Sequence, residues 1–195
     1  MPATQRKPRD ERRTEIAAAA LRLIGERGAT SLTAASLAEA VGVTPGALFR
    51  HFATVDEILA AAVDLGVQRV EATFPDEELE PLERLSELVL SRIEAIRDTP
   101  GLAWLLLSDQ APLTVPEAAV RRLRRLVKRT RSFLLEALEE GVECGELRDD
   151  IAPELMLVLV TGCVHSLAAA RGVHARASLP SPDEVLETLL ELLAP

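Results

Sequence analysis

The 195-residue chain reads as an all-α protein, and three features of it say so. Apolar residues recur at three- and four-residue spacing along most of its length, while few stretches keep the period of two that a strand needs. Hydrophobic residues make up 48% of the chain, with Ala and Leu prominent, which suits helices packed around a sizeable core. The 10 glycines fall mostly where periodic segments stop. The expected architecture is a three-helix head at 10–54 preceded by a basic arm at 1–9, and a six-helix bundle at 55–195, about nine helices in total.

Residues 2–9 hold Pro2, Arg6, Lys7, Pro8 and Arg9 with no large apolar residue, so an arm able to touch phosphate or the minor groove is expected there. From Asp10 to Arg27, Ile16, Ala20, Leu21, Leu23 and Ile24 mark one face of a first helix that Gly28 ends. Thr33 caps a second helix to Val41, Gly42 makes a turn, and a third helix spans Pro45 to Phe52. Thr44 suits its cap, and Pro45 suits a first position that needs no amide hydrogen. A fourth helix follows Ala53-Thr54, with Asp56 and Glu57 favourable to its dipole, and runs to about Thr73. Leu82, Leu85, Leu88, Val89, Ile93 and Ile96 mark a fifth within 76–98. Leu102–Gln110 is short and apolar all round apart from its end, predicting burial, and Pro112 and Pro116 bracket a loop. The longest helix runs from Glu117 to about Cys144, an apolar one from Ala152 to Gly172, and an amphipathic one from Pro182 to Ala194.

The stretch Leu32–Leu59 has the form of a helix-turn-helix, with Ala38, Val41, Val43 and Leu48 where small or apolar residues pack the unit on itself. Such a unit lays the start of its second helix against base edges, which points to Thr44, Pro45, Gly46, Ala47 and Arg50. Arg50 is the one long donor of that helix, suited to a guanine edge or a phosphate; Gly46 and Ala47 allow close approach.

From Glu15 to Leu65 the ordered string Gly28, Thr33, Leu37-Ala38, Gly42-Val43-Thr44, Gly46-Ala47-Leu48-Phe49, His51-Phe52 and Glu57-Ile58-Leu59 resembles the DNA-binding segment of the tetracycline-repressor (TetR) family of bacterial transcription regulators. The resemblance implies that Thr33, Thr44, Gly46, Phe49 and His51 face DNA. It also implies a ligand-holding second domain and a homodimer formed by the last two helices. Two positions depart from the family pattern. Phe49 stands where Tyr is usual and Val55 where Lys is usual, and each loses a phosphate contact, which weakens the salt-dependent part of binding.

In the bundle, Trp104 and the adjoining Ser108, Asp109 and Gln110 place polar groups beside an apolar helix, as at a cavity wall or at a solvated helix end. Trp104, Gln110, Phe133 and His165 are the candidate ligand contacts, with packing as the competing role for Phe133 and His165. Gly162, Ser166 and Ala169 form a small-residue strip, and Val185, Leu186, Leu189, Leu190 and Leu193 one apolar face, as a dimer seam requires. Arg121, Arg122, Arg124, Arg125, Lys128, Arg129 and Arg131 surround the apolar stripe of the long helix and read as a solvated surface.

The formal net charge of −9 is unevenly placed. Residues 1–52 hold 8 Lys/Arg against 5 Asp/Glu, a balance of +3, and residues 53–195 hold 14 against 26, a balance of −12. A basic head on an acidic body fits a DNA-contacting domain. Cys144 and Cys163 have neither a disulfide framework nor metal-ligand spacing, and no metal or cofactor is expected. No nucleophile–base set, paired carboxylates or phosphate-cradling loop indicates an enzyme. Without a secretory signal or an apolar run near the ~20 residues of a membrane span, a cytoplasmic protein is expected. The sequence thus predicts a ligand-responsive homodimeric regulator, most simply a repressor, on a palindromic DNA operator. The alternative is a helical dimer of the same fold with weak or lost DNA binding, acting through a protein partner or a sequestered ligand.

Overall fold

The computed structural model describes residues 8–168 and 180–195. Its described residues form ten α-helices and one short 3₁₀ turn, without a strand. In order these are α1 (Arg9–Arg27), the 3₁₀ turn (Ala29–Ser31), α2 (Ala34–Ala40), α3 (Pro45–Leu48), α4 (Val55–Glu71) and α5 (Pro81–Asp98). Then come α6 (Pro100–Leu107), α7 (Ala111–Thr114), α8 (Glu117–Glu143), α9 (Pro153–Ala168) and α10 (Pro182–Leu193). No helix among the described residues is long and apolar enough to cross a membrane.

Three expectations change. The recognition helix is α3, four residues long rather than Pro45–Phe52, because the chain tightens into turns after Leu48. There Arg50 N–H donates to the Ala47 carbonyl at 3.3 Å and His51 N–H to that of Leu48 at 3.0 Å, spacing that ends an α-helix. The expected loop contains α7, which starts at Ala111 and carries Pro112 in its first turn, where no amide donor is needed. Helix α6 is buried on one side only: Gly101, Leu102 and Leu105 are buried, while Trp104, Leu106 and Leu107 are half-buried.

The helices gather into two compact units, one of Met1–Gln68 with Thr99–Leu123 and one of Arg69–Asp98 with Arg124–Pro195. The unit holding the helix-turn-helix therefore contains α6 and α7 as well, and α4 and α8 supply residues to both units.

In the first unit α1 buries Ile16, Leu21, Leu23 and Ile24, and α6 lies close against it. That closeness depends on glycine: a Cβ on Gly101 would stand 2.2 Å from the Leu21 carbonyl oxygen. In the second unit α5, α9 and α10 pack together around Leu85, Ile93, Met156, Val160 and Leu189. Arg148 fastens the end of α10, its backbone N–H donating to the Leu193 carbonyl at 2.9 Å and its guanidinium to that of Leu192 at 3.3 Å.

Candidate nucleic-acid interface

The head begins with two satisfied caps. Thr33 Oγ1 accepts from Ser36 N–H at 3.1 Å while Ser36 Oγ accepts from Thr33 N–H at 3.0 Å, a reciprocal box that starts α2. Ser36 Oγ also donates to the Ser31 carbonyl at 2.8 Å, tying α2 to the turn before it. At the far end Gly42 takes φ 68°, the left-handed conformation that lets Gly42 N–H reach the Glu39 carbonyl (3.2 Å) and Val43 N–H that of Ala38 (2.9 Å). This closes α2 and turns the chain toward α3. Thr44 then caps α3, its hydroxyl oxygen accepting from Ala47 N–H at 3.2 Å.

Leu48 and Phe52 anchor the segment, 0% and 1% exposed. Between these anchors the chain can present only its other side to solvent. Thr33, Thr44, Pro45, Gly46, Phe49 and Arg50 are exposed, and Ala47 and His51 are half-buried. Thr44, Pro45, Gly46, Ala47, Phe49, Arg50 and His51 lie on one short continuous stretch, while Thr33 is displaced to the start of α2. A Cβ at Gly46 would meet nothing within 4 Å, so an incoming surface can approach the backbone closely there.

Arg13 of α1 is a positioning residue that helical periodicity did not reveal. Its guanidinium donates to the His51 carbonyl and lies 4.0 Å from the centre of the Phe52 ring, fixing the end of the recognition turn against α1. His51 Nδ1 is buried and has no hydrogen-bond partner among the described residues. Val55 begins α4, whose start is held by Thr54 Oγ1 accepting from Glu57 N–H (3.2 Å) and the Glu57 carboxylate accepting from Ala53 N–H (2.8 Å). Phe49, 44% exposed, has no hydroxyl to donate, and Val55 no charge.

The residues singled out for ligand contact are dispersed. Trp104 is half-buried on α6 and Gln110 exposed before α7, both in the first unit. Phe133 and His165 belong to the second unit. Phe133 is 7% exposed and meets the Phe74 ring edge-on at 5.3 Å, so it is part of the core. Desolvation pulls the His165 pKa below the ordinary 6.5, favouring the neutral imidazole. None of these four lines the groove of about 610 Å³ in the second unit, whose walls include Phe74, Leu90, Ile93, Glu87, Glu94 and Asp183.

A second exposed feature lies on α9 and α10. Leu155, Val158 and Leu159 are 61%, 62% and 50% exposed, and Leu192 is 63% exposed. Positions 155, 158, 159, 162 and 166 repeat at helical spacing, so the three large side chains continue into Gly162 and Ser166; Ala169 lies outside the described residues. Isolated exposed leucines are ordinary, whereas a contiguous apolar stripe marks a surface awaiting a partner.

Comparison with known proteins places this geometry. Residues 16–62 match the sequence model of bacterial regulatory proteins of the tetR family. The chain is 32% identical over 160 residues to the HTH-type transcriptional repressor KstR2 of Rhodococcus jostii, covering 79% of this chain and 76% of that one. Its fold is similar to the solved ketosteroid transcriptional regulator KstR2 of Mycobacterium tuberculosis, with a TM-score of 0.77, 22% identity and 100% of both chains covered. It is also similar to AibR, solved in complex with isovaleryl coenzyme A and operator DNA, with a TM-score of 0.75, 20% identity, and 96% and 99% of the two chains covered.

Proposed function

The chain belongs to the tetR family of bacterial regulatory proteins, and on that footing we propose that it is a cytoplasmic homodimeric repressor whose grip on operator DNA is released by a small effector. The observation that carries this reading is the run Thr44–His51, exposed or half-buried apart from the anchor Leu48 and followed by the buried Phe52, with its cap satisfied and its outer side chains free to meet a groove. Arg50 is exposed with no ion pair among the described residues, so a base edge or phosphate can take its donors. Thr33 and Thr44 stand where a backbone phosphate would meet their hydroxyls, Pro45, Gly46 and Ala47 form the close-approach surface, and His51 closes the contact.

The exposed stripe Leu155, Val158 and Leu159 with Leu192 supports dimerisation through α9 and α10. A symmetric pair sets two recognition turns against half-sites roughly 34–36 Å apart, or a multiple of that, which explains a palindromic operator. DNA contact is assigned to residues 10–54 with the basic arm 1–9, and effector binding and dimerisation to 55–195. The effector lowers DNA affinity by as much as it prefers the non-binding arrangement of α4, the helix that supplies residues to both units. This role is regulatory rather than catalytic.

Phe49 and Val55 favour a second reading, a dimer of the same fold that acts through a protein partner or a sequestered ligand without DNA. Fluorescence polarisation with the chain's own upstream DNA, across a salt series, separates the two. Saturable, sequence-preferring binding at low salt supports the repressor. Its absence in the unsubstituted protein, restored by Phe49→Tyr with Val55→Lys, supports the second reading.

A further inference from the structure

The inner face of α5 carries two arginines, Arg84 and Arg92, and they are treated differently. Arg84 is 5% exposed and its guanidinium is paired with the Glu140 carboxylate. Arg92 is 7% exposed and has no carboxylate partner among the described residues. Its Nε donates to Thr73 Oγ1 at 2.8 Å and its Nη1 to Thr130 Oγ1 at 3.1 Å, both neutral hydroxyls. Its Nη2 is buried with no acceptor among the described residues. Residues 1–7 and 169–179 contain no Asp or Glu, so the chain holds no further carboxylate side chain outside the described residues.

A buried cation without a counter-charge is unfavourable, because water's stabilisation of the ion is lost and nothing replaces it. Burial pulls the Arg92 pKa below the ordinary guanidinium range to about 10, which still leaves it charged at neutral pH. Nor is it the only cation present. Arg129 lies 4.3 Å from the centre of the Phe74 ring, and Arg92 lies 5.2 Å from the same centre. Two guanidiniums share one ring, and no carboxylate of the described residues pairs with Arg92. This is an arrangement that an incoming acid would complete.

We propose that Arg92, held by Thr73 and assisted by Thr130, is the anchor for the acidic group of the effector, which is therefore a small molecule bearing a carboxylate or a phosphate. This inference rests on the effector-responsive reading above. Thr73 Oγ1 already donates to the Val70 carbonyl at 2.7 Å, so it serves to hold the guanidinium. The Thr130 hydroxyl accepts from Arg92 and keeps its own proton for the ligand. The planar fork of the guanidinium suits a two-oxygen acceptor. Phe74 is half-buried and Arg129 exposed, so the ring that both guanidiniums approach reaches the edge of the core. Because Thr73 and Phe74 closely follow the end of α4, an anion seated there bears on that helix. The groove that Thr73 and Phe74 also line is not the anion's seat, since Glu87, Glu94, Asp98 and Asp183 stand in its walls.

The test uses the full chain, with sodium octanoate and inorganic phosphate as probes and sodium chloride at matched ionic strength as the control, read by calorimetric titration and thermal shift. At least one probe is expected to bind saturably, and which one does identifies the effector's acid as carboxylate or phosphate. Arg92→Met is expected to weaken that binding at least ten-fold while unfolding at or above the temperature of the unsubstituted protein. Arg92→Lys and Thr130→Val should each weaken it several-fold. Failure of both probes to bind saturably overturns the inference. So does an Arg92→Met chain that unfolds earlier yet responds to the probe as before, because Arg92 would then be structural. If Arg92→Met does not fold, unchanged probe affinity in Arg92→Lys and Thr130→Val overturns it as well. Polarisation with DNA on the same samples keeps the two readings apart: anion binding without DNA binding sinks the regulator, and DNA binding without anion binding sinks the anchor.

Discussion

Gly101→Ala is expected to destabilise the unit that holds the helix-turn-helix more than its size suggests. The added Cβ would lie 2.2 Å from the Leu21 carbonyl oxygen, 2.8 Å from its carbon and 3.0 Å from its Cα. These are backbone atoms of α1, so no rotamer change relieves the overlap. Gly25 stands in the reciprocal position, where a Cβ would meet the carbonyl carbon and the Cβ of Pro100, each at 2.4 Å. The two helices touch closely because neither carries a side chain at the crossing. To restore an ordinary contact α6 must move off α1 by roughly 1 Å, and a gap of that size forfeits a quarter to a half of each dispersion contact it opens. Leu102 and Leu105, buried on α6, are the side chains that lose them. Overpacking costs about 1–3 kcal/mol, and backbone overlap puts this case near the top of that range. At about 2–4 °C per kcal/mol for a chain of this length, the midpoint should fall by roughly 6–12 °C. The assay is thermal unfolding followed by circular dichroism, with Gly46→Ala as the control. A Cβ at Gly46 meets nothing within 4 Å, so that variant should be as stable as the parent or more stable by about 0.5–1 kcal/mol. A Gly101→Ala midpoint within about 2 °C of the parent would refute the close-packing argument.

Leu48→Ala empties a fully buried position beneath the recognition turn, and should cost about 2–5 kcal/mol in chemical denaturation and abolish DNA binding in polarisation. Val158→Glu puts a charge into the exposed α9 stripe, and should shift the chain from dimer to monomer in sedimentation with its helicity unchanged. Phe49→Tyr with Val55→Lys should tighten DNA binding and steepen the slope of log K against log salt by up to about 0.9 for each phosphate that the new side chains neutralise. The Glu184 carboxyl is held below the ordinary 4.5 by the Ser181 backbone N–H (2.7 Å) and then by its side chain. Because the folded carboxyl titrates below the unfolded one, its support for the start of α10 is complete above 4.5 and is lost as pH falls through the lowered value. Glu184→Gln should therefore flatten the acid side of a melting-temperature profile against pH.

What could be read without a structure was whatever neighbouring residues settle among themselves. Thr33 and Thr44 announce helix starts because a hydroxyl next to free amides caps them, and Gly42 announces a turn because a left-handed residue closes α2. Helix α8, from Glu117 to Glu143, was legible because 27 residues keep one apolar face. The extent of α3 was not. Ala47 to Phe52 carries no breaker, and it is the burial of Leu48 and Phe52, with Arg13 gripping the His51 carbonyl, that accompanies its early end. The role of Arg92 is hidden for a similar reason: it sits inside the stripe Leu88, Val89, Ile93 and Ile96, where periodicity registers the apolar residues and takes an arginine for a surface group. An arginine at a core position of such a stripe was the signal available.

The sequence by itself determined that the chain is helical, where most of its helices begin and stop, that its head is basic and its body acidic, and that its head carries a helix-turn-helix. Each of these is a local or additive property, set by backbone chemistry, spacing or summed charge. Only the tertiary structure decided which faces meet. It placed α6 and α7 in the unit that holds the head, brought Gly101 against Leu21, left the Leu155–Leu159 stripe uncovered, and paired Arg84 with Glu140 while giving Arg92 no carboxylate partner among the described residues. A periodic stripe states that a helix has an inner face, but the partner of that face is set by contacts between residues far apart in the chain.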